Sequence, residues 1–174
     1  MSRGAIVFAS LMVLAGCEQS ASTTAPDLQA PFERSASAPV LKVTMGGKLD
    51  LSEFNLPDET YAMVAMKDAD GNVSGNIRVR LSDPLLDFHG DITCLQVQDN
   101  LVWIGVVVTK SSVTSGSYAE GGSFWFRVQD NGEGSAAPID RISSLNPAGG
   151  AARCNERRTG LQLAWTLHGN VEIH

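Results

Sequence analysis

Few residues in this chain are of a type that does chemistry. Its three histidines are His89, His168 and His174. A catalytic triad needs a histidine beside a nucleophile, with a carboxylate behind it. His89 follows "LLDF" and precedes a strand pattern, His168 reads as part of a turn, and His174 is the last residue. A zinc site would need all three to meet in space, and their spacing does not indicate one. The Gly-x-Ser-x-Gly elbow, the phosphate-binding glycine loop, His-Glu-x-x-His and Cys-x-x-Cys are all absent. The chain therefore reads as a non-enzyme without a cofactor.

Two acidic loops offer oxygen ligands. Asp68-Ala69-Asp70-Gly71-Asn72 begins like a calcium loop, but Val79 stands at the twelfth position, where a bidentate Glu would close it. Hairpin-turn chemistry explains the segment better, because Asp, Gly and Asn tolerate left-handed backbone. Asp130, Asn131, Glu133 and Asp140 are the second set, clustered after a strand. Here too the simpler reading is a structural loop: Asp130 and Asn131 bond nearby backbone, and Gly132 supplies a positive φ. Arg78, Arg80 and Arg127 read as an outward basic stripe of a solvated strand face. The net charge of −6 disfavours nucleic acid, whose phosphates demand basic clusters.

Cys17 sets the address. Arg3 is the only charge in the first sixteen residues, and the apolar run Gly4–Leu14 is shorter than the ~20 residues that cross a bilayer. It fits the apolar core of a secretory signal. Leu14-Ala15-Gly16-Cys17 resembles the lipobox of bacterial lipoproteins. That resemblance implies a signal peptide over 1–16, cleavage before Cys17, and acylation of its thiol and new amine. An ordinary signal peptide that happens to contain a cysteine is the alternative. Several acyl chains on one residue anchor a protein stably. Glu18, in place of the Asp that retains enteric lipoproteins at the inner membrane, points to the periplasmic face of the outer membrane.

Residues 17–39 are rich in Ser, Ala, Thr and Pro and lack apolar periodicity, so they read as a lipidated, flexible tether. Loss of 1–16 removes Arg3 and moves the formal charge from −6 to −7. Residues 40–174 then form a single domain. Cys94 and Cys154 remain, and outside the cytoplasm an even pair suggests a disulfide. Two separately buried thiols would be the other reading.

The domain reads as β throughout. Val73, Ile77, Val79 and Leu81 alternate with polar neighbours, and "YAMVAM" (61–66) is a partner strand across the "KDADGN" turn. Phe124, Phe126 and Val128 alternate with Trp125, Arg127 and Gln129. Leu161, Leu163, Trp165 and Leu167 form another alternating set, after which Gly169-Asn170 reads as a turn into a short strand, 171–173. In "DITCLQVQDNLVWIGVVV" a two-residue turn at Asp99-Asn100 pairs Val97 with Val102, Gln96 with Trp103, Leu95 with Ile104 and Cys94 with Gly105. Leu95, Val97, Val102, Ile104 and Val106 then face the core. Ile92, Cys94, Gln96, Trp103 and Val107 face a half-covered side, where Gly105 leaves room for a disulfide to a covering segment near Cys154. The apolar run 101–108 suggests a strand covered on both faces. Residues 146–160 hold one short helical turn at most. The expected class is all-β, a compact antiparallel barrel or sandwich of about seven to nine strands.

"DGNVSGNIRV", "HGDITCLQVQDNLVWIGVVV", "FRVQDNGEG" followed by "DRIS", a later lone cysteine and "HGNVEIH" fall in one order over residues 60–174. This order resembles a group of secreted bacterial proteins of unknown function. The resemblance implies a compact β domain with its two cysteines paired, and it carries no activity. Asp99 stands where that group commonly has Gly. The functional expectation is a non-catalytic binding or structural module with an envelope protein partner. A barrel carrying a small apolar ligand or lipid is the alternative. Cys17→Ser should abolish lipid incorporation and leave the unprocessed precursor. Metabolic fatty-acid labelling checks this, and label on the variant would refute the address.

Overall fold

The computed structural model describes residues 39–51, 57–81 and 86–174; the signal segment 1–16, Cys17 and the tether up to residue 38 lie outside the described residues. Strands are β1 (Pro39–Leu49), β2 (Glu59–Asp68), β3 (Val73–Leu81), β4 (Asp87–Gln98), β5 (Leu101–Ser111), β6 (Ser123–Gln129), β7 (Arg141–Ile142), β8 (Trp165–Thr166) and β9 (His168–Ile173). They form one nine-stranded sheet in the order β8-β7-β6-β5-β4-β3-β2-β1-β9. Every pairing is antiparallel. β8 and β9 are separated only by Leu167, so one bent segment serves both ends of the order and nearly closes the sheet into a barrel. Among the described residues no helix is long and apolar enough to cross a membrane.

Alternation builds the inner wall. Ile77 and Val79 of β3 are buried while Arg78 and Arg80 are exposed. Arg78 donates to Asp87 at 2.7 and 3.1 Å, which holds the Asp87 carboxyl below its ordinary range. β1 was not evident in the sequence, because Gly46-Gly47 interrupts its pattern; Val43, Met45 and Leu49 nonetheless face inward. Phe88, Leu95, Ile104, Phe124 and Phe126 fill the interior at 0% exposure, as side chains do in small barrels. Phe124 stands edge-on to both Phe88 (5.4 Å) and Tyr118 (5.5 Å), the quadrupole-favoured arrangement.

The β4–β5 hairpin has the register expected from its turn, with Cys94 opposite Gly105 and Leu95 opposite Ile104. Of the two turn residues only Asp99 takes a positive φ, at 55°. Ile92 does not share the face of Cys94. The register shifts between Ile92 and Cys94, and the extra residue of that bulge turns Ile92 into the core opposite Val106.

The C-terminal pattern also differs from expectation. Only Trp165–Thr166 of the 161–167 run pairs as a strand. Gly169-Asn170 is not a turn: both lie within β9, opposite Gly47 and Gly46 of β1. A Cβ at Gly169 would sit 2.0 Å from the Gly46 carbonyl oxygen. The glycine is there for close strand approach, and its neighbour Leu167 packs its side chain over Gly47.

A strap covers the outer face of β4, β5 and β6. It contains a 3-10 helix (Ala151–Glu156) and is fastened by the Cys94–Cys154 disulfide, with Cα atoms 6.0 Å apart. The indole of Trp103 donates to the Arg158 carbonyl at 2.9 Å, and that of Trp125 to the Ala148 carbonyl at 3.2 Å. β6 is consequently buried on both faces, and Arg127 is not part of an outward stripe. It is 5% exposed, lies 5.3 Å from the Trp103 ring centre, and donates to the carbonyls of Thr159 (2.9 Å) and Leu161 (2.7 Å). Burial pushes its pKa down from the ordinary value. Gly105 lies directly beneath the strap: a Cβ there would meet the Ala151 carbonyl oxygen at 2.3 Å and Cys94 Cβ at 2.9 Å. Gly105→Ala should lower the urea midpoint by an overpacking cost of about 1–3 kcal/mol. Gly160→Ala, where nothing lies within 4 Å, should leave it nearly unchanged.

Candidate functional site

The acidic loop after β6 brings three of its four candidate ligands together. Asp130 accepts from the backbone N–H of Gly132 at 2.8 Å, an Asx turn with Gly132 at φ 85°. Its other oxygen accepts from Ile173 N–H at 3.2 Å. Asp140 is 4% exposed and accepts from Asn131 N–H (2.8 Å) and Val171 N–H (2.6 Å). Asn131 donates its side-chain amide to the Ile139 carbonyl at 2.8 Å. Glu133 is exposed on the rim of an open, polar cleft beside β9. Each aspartate thus has one oxygen on a backbone N–H of the loop and the other on a backbone N–H of β9. Among the described residues no group of three or more His, Cys, Asp or Glu is placed to hold a metal.

The histidines stay apart. His89 and His168 are exposed on β4 and β9, so His168 lies in a strand and not in a turn. His174 Nε2 lies 3.0 Å from Glu172. The first acidic loop is a hairpin turn, in which Asn72 donates its backbone and side-chain N–H groups to the two Asp68 oxygens at 2.8 Å each.

A better-formed site lies at one end of the barrel, where β1 and β3 finish and β2 and β4 begin. It is a largely apolar pocket of about 220 Å³. Leu49 ends β1 and Leu51 follows it, Leu81 ends β3, Leu86 directly precedes β4, and Leu145 comes from the segment after β7. Three aromatic rings join them: Tyr61, Tyr118 and Trp165. Glu59, the first residue of β2, is the one charged side chain in the lining among the described residues. β-strand alternation puts Glu59 and Tyr61 on the same face, and the Tyr61 hydroxyl donates to the Glu59 carboxylate. Burial among leucines raises the Glu59 pKa above its ordinary value, a rise the Tyr61 hydrogen bond opposes. Tyr61 is pushed well up by burial and by the Glu59 charge, and Tyr118 is raised by the same two causes.

These residues were not singled out in the sequence. Glu59, Tyr118 and Trp165 are each unremarkable locally and are far apart along the chain. The local clue was a Glu and a Tyr two positions apart at the start of a strand, which puts an acid and a phenol on one face.

No protein-family model matches the chain, and neither a curated protein nor a solved structure matches it.

Asp140→Ala leaves two backbone donors without their acceptor, one of them the buried N–H of Val171, and should destabilise the fold by about 3 kcal/mol. Asp130→Ala, whose bonds are more exposed, should cost ~1 kcal/mol. Urea denaturation measures both. Added calcium should leave the melting temperature of the unsubstituted chain unchanged; a calcium-dependent rise, lost in both variants, would instead make the loop a metal site.

Proposed function

We propose that this protein is a lipid-tethered, non-catalytic binding module of the bacterial envelope that takes a small, largely apolar molecule into the pocket at the end of its barrel. The observation that carries the reading is that pocket: about 220 Å³ walled by leucines and aromatic rings, with the Glu59 carboxylate among the described residues that line it. Binding sites of this kind are mostly apolar with a few placed polar groups, and this one is at the small end of their usual ~300–1,000 Å³.

The tether follows from the lipobox-like Leu14-Ala15-Gly16-Cys17 and the Ser/Ala/Thr/Pro stretch after it, which would hold the domain off the membrane. The same signal and the neighbouring Glu18 support the periplasmic face of the outer membrane as its location. Binding is favoured over catalysis because no histidine lines the pocket. The hydroxyl of Ser143, which does line it, donates to the Ser144 carbonyl (3.0 Å) and accepts from Arg127 N–H (2.9 Å). The packed phenylalanines argue against a lipid threaded through the barrel and favour a compact ligand at its end.

In a thermal-shift titration, 2-phenylethanol should raise the melting temperature of the full chain in proportion to the logarithm of its concentration above saturation. Leu86→Trp, which fills the pocket, should abolish the rise while the variant remains folded by circular dichroism. An equal rise in both proteins would remove the pocket from the proposal.

A further inference from the structure

We propose that the end pocket is selective for small organic cations, an ammonium group carried on an apolar body, through Glu59 and the rings of Tyr61, Tyr118 and Trp165. This rests on the reading of the pocket as a ligand site and goes further by naming the ligand's charge.

The first argument is electrostatic. Among the described residues Glu59 is the one charged side chain lining the pocket, and it accepts a hydrogen bond from a neutral phenol. Two basic side chains of β1 and β3 are engaged elsewhere. Lys48 is bound to Asp58 at 2.6 Å, and Arg78 to Asp87 at 2.7 Å. A carboxylate placed among leucines loses hydration that a neutral hydroxyl repays only in part. The raised pKa of Glu59 reports that deficit. A ligand ammonium would repay it, whereas a ligand anion would add repulsion.

The second argument comes from the donors. The Tyr61 hydroxyl proton is committed to Glu59, that of Tyr118 to the Leu145 carbonyl at 3.0 Å, and that of Ser143 to the Ser144 carbonyl. These three hydroxyls therefore have no proton to offer an anion or a carbonyl. Among the described residues the lining then offers the Glu59 oxygens, the aromatic rings and one further hydroxyl, that of the exposed Ser144. Ring faces attract cations through their quadrupole, and a carboxylate within a cluster of aromatic rings is how proteins recognise ammonium groups. The third argument is size and polarity. Leu49, Leu51, Leu81, Leu86 and Leu145 supply an apolar wall for the hydrocarbon part, within a volume that suits a body of about one aromatic ring.

Three ligands with similar bodies test this on the full chain by isothermal titration calorimetry: 2-phenylethylamine, 2-phenylethanol and 3-phenylpropionate, which are cationic, neutral and anionic at pH 7. The amine should bind about tenfold more tightly than the alcohol and displace it, and the carboxylate should bind more weakly than either. Glu59→Gln keeps an acceptor for Tyr61 and should erase the advantage of the amine. Equal affinity for amine and alcohol, or an amine preference that survives Glu59→Gln, would overturn the cation selectivity and leave the pocket's role as a ligand site standing. If none of the three binds, both readings fail. The ligand series on the unsubstituted chain decides the matter even where the variant does not fold.

Discussion

The structure depends on how the open edge of β9 is satisfied. A sheet that ends in a strand leaves every second backbone N–H and C=O without a partner, a cost when buried and an invitation to aggregation when exposed. β9 is paired with β1 on one side. On the other side its donors are met by the loop after β6. Leu167 N–H bonds the Asp140 carbonyl, Val171 N–H the Asp140 carboxylate and Ile173 N–H the Asp130 carboxylate. Two aspartate side chains thus stand in for strand backbone where a continuous ladder would need more chain. A carboxylate suits that task because it accepts several hydrogen bonds and needs to donate none. Asp140 tolerates its burial for the same reason.

Near-closure has a consequence for both faces of the wall. The inner face is filled by the core, and the outer face of β4–β6 carries Trp103, Trp125 and Cys94, which would be costly to expose. The strap resolves this. Its backbone carbonyls accept from both indoles and from one terminal nitrogen of Arg127, whose buried Nε is left without a hydrogen-bond partner. The disulfide constrains the unfolded chain across a separation of 60 residues, worth ~4 kcal/mol in the chain-entropy model. It also fixes the strap where Gly105 leaves room for it.

The two ends of the barrel differ. One carries the tight β2–β3 and β4–β5 turns and the aspartate-bound loop. At the other, longer connections bring leucines, Tyr118 and Trp165 around the start of β2, and a pocket is left between them. Local turn chemistry shapes the first end, with each Asp or Asn bonding its neighbours. The second end is made by long-range packing. A half-buried acid persists there because the scaffold, secured by the closure and the strap, tolerates one unfavourable group.

The sequence alone determined what depends on near neighbours. Period-two alternation gave the all-β class, and the Asp99-Asn100 turn gave the β4–β5 register, because a two-residue turn leaves one pairing. The pairing of Cys94 with Cys154 and the covering segment over Gly105 were also legible, from cysteine number and from a glycine opposite a cysteine. The tertiary structure decided the rest. A bulge that no residue announces moved Ile92 into the core. Gly169 looked like a turn residue and proved to be a contact residue, because glycine serves both purposes and only the neighbouring strand distinguishes them. Arg127 read as solvated until the strap covered it. The pocket had no sequence signature, since Glu59, Tyr118 and Trp165 meet only when strands distant in sequence are brought to one end of the barrel. Their chemistry belongs to that geometry and not to any stretch of the chain.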